Sequence, residues 1–255
     1  ILGGSATYIG ISASYFNKAS NLISVVGGDF IDKNIALLKD HNIDCNGLTI
    51  MKNEKTFFWS GKYHVNMNQR DTIETQLNVL EKFNPTIPES YQDCTYLMLA
   101  NLMPSLQLKA INQLSKNPKL IVTDTMNYWM DNCMEDLLLV VEKTTVLIIN
   151  DEEAVQLSKK KNLNEAAAKI LNMGPSFLII KKGADGALLF KDNEVFTCPP
   201  FNVEKCVDPT GAGDTFAGAF IGHLSHTNSL SFDSMKLGVI KACAMASFCV
   251  EDFGV

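Results

Sequence analysis

The stretch Asp208-Pro209-Thr210-Gly211-Ala212-Gly213-Asp214, running on into Thr215-Phe216-Ala217-Gly218-Ala219-Phe220, joins a glycine-rich turn to a helix start with a carboxylate at the junction. Glycine at 211 and 213 lets the backbone fold back on itself and aim its N–H groups at an anion. Phe216, Phe220 and Leu224 fall on one face of a helical period. The run therefore reads as a helix whose N-terminus adds partial positive charge beneath the turn. Asp214 stands at the lip, where a carboxylate could accept the proton of a hydroxyl attacking a phosphoryl group. An aspartate at a helix start is also an ordinary cap, and residue chemistry alone leaves both roles open.

The elements that must position this junction follow an α/β pattern, with short apolar runs alternating with amphipathic segments. Helices are expected from Ala6 to Lys18 and from Asp29 to Asp40, and buried strands at Leu22–Val26, Thr95–Ala100, Leu120–Thr123, Val146–Ile149 and Phe177–Ile180. Each strand is followed by polar or glycine residues where the carboxyl edge of a parallel sheet opens into a ligand crevice. Asn101, Asp124, Asn150 and Lys181 sit at such edges. Thr56 to Val65 breaks the alternation, with Phe57, Trp59, Tyr63 and Val65 on one face of a period-two pattern and Phe58, Ser60, Lys62 and His64 on the other. With a turn over Asn66–Asp71 and a return over Thr72–Val79, this forms a small β unit spanning about 48–79. Its aromatic face fits either a lid over a pocket or a clasp against a second subunit.

Composition bounds the partners. The chain has 255 residues, 46% of them apolar, enough for one large α/β core with a small appendage. A net charge of -6, with Lys159-Lys160-Lys161 as the one basic cluster, disfavours nucleic acid. Seven scattered cysteines without a C-x-x-C pair suggest neither a disulfide framework nor a zinc site, and a reducing cytoplasmic compartment is the simplest fit. No apolar run approaches the roughly 20 residues of a membrane span. Walker-type, dinucleotide-binding and nucleophile-elbow motifs are missing from the sequence. His223 and His226 are one helical turn apart, which suits a metal pair but fits an exposed helix face better; His64 is expected near substrate if the lid closes, and His41 in a surface loop.

Asp208 to Asp214 resembles the C-terminal signature D-x-T-G-A-G-D of the ribokinase-like (PfkB) carbohydrate kinase family. The resemblance extends over nearly the whole chain. It implies a ribokinase-like three-layer α/β/α fold with a mostly parallel sheet, a core of residues 1–47 and 80–255, and a small β lid of residues 48–79 over the acceptor site. By that resemblance Asp214 is the catalytic base, Gly211, Ala212 and Gly213 form the anion hole, and Asp208 and Thr210 hold the turn, with K+ as a possible aid at Asp208. Asn150-Asp151-Glu152-Glu153 matches the family's N-x-x-E element, so Asn150 and Glu153 are expected to organise Mg2+ and its waters around ATP. A carboxylate in a first helical turn is equally a routine dipole partner. Lys181-Lys182-Gly183-Ala184-Asp185-Gly186 aligns with a strand end near the nucleotide, which places Lys181, Gly183, Gly186 and Thr210 on the nucleotide side. Lys181 departs from the threonine usual there and either offers charge to the phosphates or is a solvated lysine.

Gly3-Gly4 and later Gly27-Gly28-Asp29 resemble the family's N-terminal signature. Gly3, Gly4, Tyr8 and Asn101 are accordingly the acceptor-side candidates. Tyr8 replaces the asparagine usual at its position, and the family's first strand would precede Gly3, so the chain is expected to lack that strand and to stop short of the family's usual end at Val255. The implied activity is ATP-dependent phosphorylation of a hydroxymethyl group on a sugar or sugar-like alcohol. A nucleoside kinase, favoured by the aromatic residues at 57–63, and a non-catalytic ligand sensor on the same fold are the alternatives. A homodimer through the lid is compatible with either kinase.

Overall fold

The computed structural model describes residues 1–17, 19–64, 67 and 70–255. Its elements run in the order α1 (Ser5–Ser14), β1 (Ser20–Gly27), α2 (Asp32–Asp40), β2 (Ile43–Met51), β3 (Phe58–Tyr63), β4 (Arg70–Gln76), β5 (Tyr96–Leu99), α3 (Pro104–Ile111) and β6 (Leu120–Asp124). The chain continues through α4 (Asn127–Asn132), α5 (Met134–Lys143), β7 (Val146–Asn150), α6 (Asp151–Ser158), α7 (Leu163–Leu171), β8 (Phe177–Lys181), β9 (Ala187–Lys191), β10 (Glu194–Cys198), α8 (Ala212–Thr227) and α9 (Phe232–Cys249). The main sheet has the order β10-β9-β8-β7-β6-β5, parallel from β5 to β8 and antiparallel at β9 and β10.

Period-two geometry turns each central strand into two apolar faces. Val122, Ile148 and Ile179 pack with Phe216, Phe220, Leu224 and Val239 of α8 and α9. Leu147, Ile149, Leu178 and Ile180 pack instead with Leu137, Val141, Leu157 and Ile170 of α5, α6 and α7. The result is the three-layer arrangement, with the carboxyl ends of β6, β7 and β8 lying side by side.

Helix α8 is buried without interruption from Thr215 to Leu224, so it has no solvated face over that span. Glycine is what lets α1 lie on it. A side chain at Gly218 would collide with the Ile9 carbonyl oxygen, and one at Gly222 would come within 2.9 Å of Ala13 Cα. The Ser12 hydroxyl donates to the Thr215 carbonyl at 2.7 Å across the same contact. The start of α1 is thereby fixed beside the start of α8.

Strands β1 and β2 form their own parallel pair, and β3 and β4 an antiparallel hairpin. Residues 48–51, which the sequence assigned to the lid, complete β2 and pair with β1. The expected alternation holds along β3, with Trp59 and Tyr63 half-buried and Phe58 and Lys62 exposed, while the register slips between Ser60 and Gly61 because β4 carries one extra residue, Ile73, there. The return strand ends at Gln76 and a 3-10 turn, Asn78–Lys82, follows. Val65 and Asn66, placed in the strand and its turn, lie outside the described residues, as does Lys18, the expected end of the first helix. That helix stops at Ser14, and the second begins at Asp32 rather than Asp29. The carboxylate of Asp29 instead accepts from Thr56 N at 2.7 Å and Thr56 Oγ1 at 2.6 Å, tying the base of the hairpin to the end of β1.

Replacing Gly218 with alanine should push α1 off α8. A loss of about 1–3 kcal/mol is typical of such overpacking, and thermal denaturation should register it as a Tm lower by several degrees. An unchanged Tm would mean that the helices do not approach this closely.

Candidate active site

The site grows from the turn into α8. Gly211 has φ 81°, a left-handed conformation, and a side chain there would lie 2.5 Å from the Tyr8 ring. The position thus needs glycine both for conformation and for space. Thr210 N donates to Asp208 Oδ1 at 2.9 Å, and Val207 N and Asp208 N both reach the Val250 carbonyl, so side chain and C-terminal helix together brace the turn. Ala212 N donates to the Pro209 carbonyl at 3.2 Å. Gly213 and Asp214, in the first helical turn, have no intrahelical carbonyl for their N–H groups, and these point out of the helix start.

Three carboxylates and one ammonium meet beside this turn. Lys181 Nζ is 3.5 Å from Asp124 Oδ1, with the lysine side chain 20% exposed and that of Asp124 10%. The same ammonium would touch a side chain at Gly213, at 3.0 Å, and it also feels the charges of Glu153 and Asp214. Burial works to lower the Lys181 pKa, but the three carboxylates outweigh it and the net shift is upward. Burial pushes the Asp214 carboxyl up to about 7, helped by the charge of Asp124 and opposed by the Ser5 hydroxyl and Lys181. Burial likewise raises Glu153 to about 7, with Lys181 opposing. Carboxyls whose pKa lies near 7 exchange protons around neutral pH.

Asn150 and Glu153 form a reciprocal capping box: Glu153 N donates to Asn150 Oδ1 at 2.8 Å, and Asn150 N to Glu153 Oε2 at 2.7 Å. The box holds the Glu153 carboxylate, only 6% exposed, within the electrostatic reach of Lys181. Gly183 and Gly186 shape the β8–β9 turn, where Lys182 N donates to the Gly186 carbonyl at 2.8 Å. On the other side, Gly4 caps α1 at φ 93° and a side chain there would meet nothing within 4 Å, while a side chain at Gly3 would reach Tyr8. Tyr8 is 4% exposed, and burial pushes its phenol up to about 12. Its ring supports Gly211 from below. Asn101 is engaged elsewhere: it accepts from Trp129 Nε1 at 2.7 Å and its amide contacts Met126 Sδ.

Some contacts had no counterpart in the sequence reading. Tyr63 Oη and Thr210 Oγ1 share a hydrogen bond of 3.1 Å, so the hairpin touches the glycine turn directly. Asp124 was visible as a strand-edge residue, but its pairing with Lys181 needs the sheet order. Ser5 carried no signal. His64 pairs with Asp71 at 3.0 Å across the hairpin. His223 is not on an exposed face: it is 3% exposed and its Nδ1 lies 3.1 Å from Lys241 Nζ. Among the described residues no cluster of three or more His, Cys, Asp or Glu side chains is built to hold a metal by itself. The divalent ion would come with the nucleotide, which the glycine turn, the outward amides and Lys181 fit by charge and space.

An α/β/α core with an anion-binding helix start and a desolvated carboxylate beside it defines a phosphotransferase. The pfkB family carbohydrate kinase model matches residues 2–255, and the chain belongs to that family. A cytidine kinase of Thermococcus kodakarensis is 27% identical over 244 residues, covering 94% of this chain and 86% of its own. An E. coli protein assigned as a ribokinase II and solved with ATP and Mg2+ superposes with TM-score 0.82 at 25% identity, covering 99% of this chain and 83% of its own. A nucleoside kinase of Methanocaldococcus jannaschii superposes with TM-score 0.78 at 23% identity, covering 99% and 81%. The chain is an ATP-dependent kinase acting on a sugar or a nucleoside. Among the described residues, no helix is long and apolar enough to cross a membrane.

A base must be ionised to accept a proton, and a raised pKa keeps Asp214 protonated to higher pH. The kcat/KM profile should therefore fall as pH drops through about 7 rather than near the ordinary value of 3.8. A profile flat down to pH 5 would contradict the assignment.

Proposed function

We propose that the enzyme transfers the γ-phosphoryl group of MgATP to the ribose hydroxymethyl group of a nucleoside. The observation that carries the transfer chemistry is the Asp214 carboxylate, desolvated and set in the first turn of α8 beside Gly211 and Gly213. The acceptor class is supported by the cytidine and nucleoside kinases that match almost the full chain. Tyr63, whose hydroxyl meets Thr210 at the glycine turn, supplies aromatic surface on the acceptor side.

In this reading the hydroxyl gives its proton to Asp214 while its oxygen forms a bond to the γ-phosphorus. The bond to the β,γ-bridging oxygen breaks and ADP leaves. Amides of Gly211, Ala212 and Gly213 receive charge from the transferred group, with Gly213 the better placed because the Ala212 amide already has a partner. Asn150 and Glu153 would hold Mg2+, which would supply charge neutralisation on the phosphates. Lys181, Gly183, Gly186 and Thr210 line the nucleotide side, and Gly3 and Gly4 the acceptor side, with Tyr8 packed beneath the glycine turn. Asp208, already holding the turn through Thr210, is the place for a monovalent cation. The β3–β4 hairpin closes over the acceptor through Tyr63, and its exposed Phe58, Ile73 and Leu77 suit a homodimer contact. The enzyme works in the cytoplasm.

ADP release measured with MgATP against a panel of nucleosides, free sugars, sugar acids and polyols tests this reading. Nucleoside-dependent release that drops at least about 10²-fold in Asp214→Asn, with ATP affinity retained, is expected. Release with free sugars alone would move the acceptor to the sugar class, and an Asp214→Asn enzyme with full turnover would remove the base. Tyr63→Phe deletes one neutral hydrogen bond, about 0.5–1.5 kcal/mol. It should raise the acceptor KM a few-fold and leave ATP binding alone; an unchanged KM would detach the hairpin from acceptor binding.

A further inference from the structure

We infer that Lys181 is a catalytic residue whose ammonium touches the transferring phosphoryl group, acting as a cationic extension of the amides at the start of α8. The inference rests on the phosphoryl-transfer reading above and concerns what completes the charge balance at that site.

Lys181 ends β8, two strands from β6, whose last residue is Asp124. A purely structural counter-ion of Asp124 would sit close to it and be sealed. Here the separation is 3.5 Å, at the loose end of an ion pair, and a fifth of the lysine side chain stays open. The ammonium is also as near to Gly213 as a side chain on that residue would allow, 3.0 Å from the built Cβ position. Gly213 thus leaves room for the ammonium at the turn that receives the anion.

The charge count points the same way. One ammonium faces the carboxylates of Asp124, Glu153 and Asp214. A phosphoryl group arriving beside Asp214 brings further negative charge, and the dipole of α8 alone contributes only about half a unit of positive charge. In the transition state, charge spreads over the equatorial oxygens of the transferred group, where a fixed cation stabilises it. The lysine can leave Asp124 for the phosphoryl oxygens without moving its backbone, because both lie within reach of one flexible stem.

The test uses the whole enzyme and four variants: Lys181→Met, Lys181→Arg, Asp124→Asn and the Asp124→Asn/Lys181→Met double variant. Turnover, KM for ATP and Tm are measured for each. Lys181→Met should lose about 10²–10³-fold in kcat, as removal of one transition-state donor does, with a smaller change in KM for ATP; Lys181→Arg should recover part of the loss. Should Lys181→Met fold poorly because Asp124 is left unpaired, the double variant removes both charges and restores Tm. The inference predicts that the double variant, folded, is slower than Asp124→Asn by about the same 10²–10³-fold factor. Recovery of turnover in the double variant to the level of Asp124→Asn would reduce Lys181 to a counter-ion and overturn the inference. An active Lys181→Met enzyme alongside an inactive Asp214→Asn enzyme would defeat this inference and leave the general-base reading standing.

Discussion

Negative charge gathered at one poorly solvated edge of the sheet is the constraint on which the rest of the site depends. Asp124 closes β6, while Glu153 and Asp214 stand in the first turns of α6 and α8, each facing Lys181. Desolvation costs an ionised carboxylate more than a neutral one, and it holds both Glu153 and Asp214 near neutrality. A cluster like this works against the stability of the empty protein, since charges away from water are repaid only in part by their partners. In the proposed function the same edge would meet a polyphosphate with its metal, and the local dielectric that penalises the empty site would strengthen those contacts.

The glycine turn is the rigid half of this arrangement. Tyr8 fills the space beneath Gly211, the Val250 carbonyl accepts from Val207 and Asp208, and Cys249 Sγ reaches the Thr210 carbonyl at 3.8 Å. These contacts come from α1 and from the end of α9, so the turn is held by helices whose packing depends on Gly218 and Gly222. The hairpin approaches the turn from another part of the chain. It is anchored through Thr56 to Asp29 and Gly27, and it meets the turn through the Tyr63 hydroxyl. The hydrogen bonds from Thr56 lower the Asp29 pKa, so the anchor keeps its charge well into acid. The Tyr63–Thr210 hydrogen bond thus links the hairpin to the glycine turn.

Much of this was legible in the sequence, for identifiable reasons. Central strands are short β-branched runs buried on both faces, so Val146–Ile149 and Phe177–Ile180 stood out and were observed one residue longer, ending in Asn150 and Lys181. The turn into α8 was legible because its glycines and carboxylate are adjacent in sequence. What sequence could not yield depends on long-range packing. Lys181 and Asp124 are 57 residues apart and meet only because β6 and β8 flank β7. The slip in the hairpin register at Ile73 depends on how β4 pairs with β3, which the alternation along a single strand does not encode. His223 looked like part of a solvated face because an all-round buried helix such as α8 has no amphipathic signature to read. The capping box at Asn150 and Glu153 answers a question that spacing left open: the first-turn carboxylate caps its helix and faces the site with the same side chain.

Site-resolved titration of the Asp214 carboxyl, by 13C NMR of aspartate-labelled enzyme with Asp214→Asn to assign the resonance, tests the central claim most directly. The account predicts one aspartate that stays protonated until pH about 7 in the free enzyme. An Asp214 that titrates near 3.8, its ordinary value, would mean a solvated cap and would contradict the desolvated edge from which the mechanism is derived.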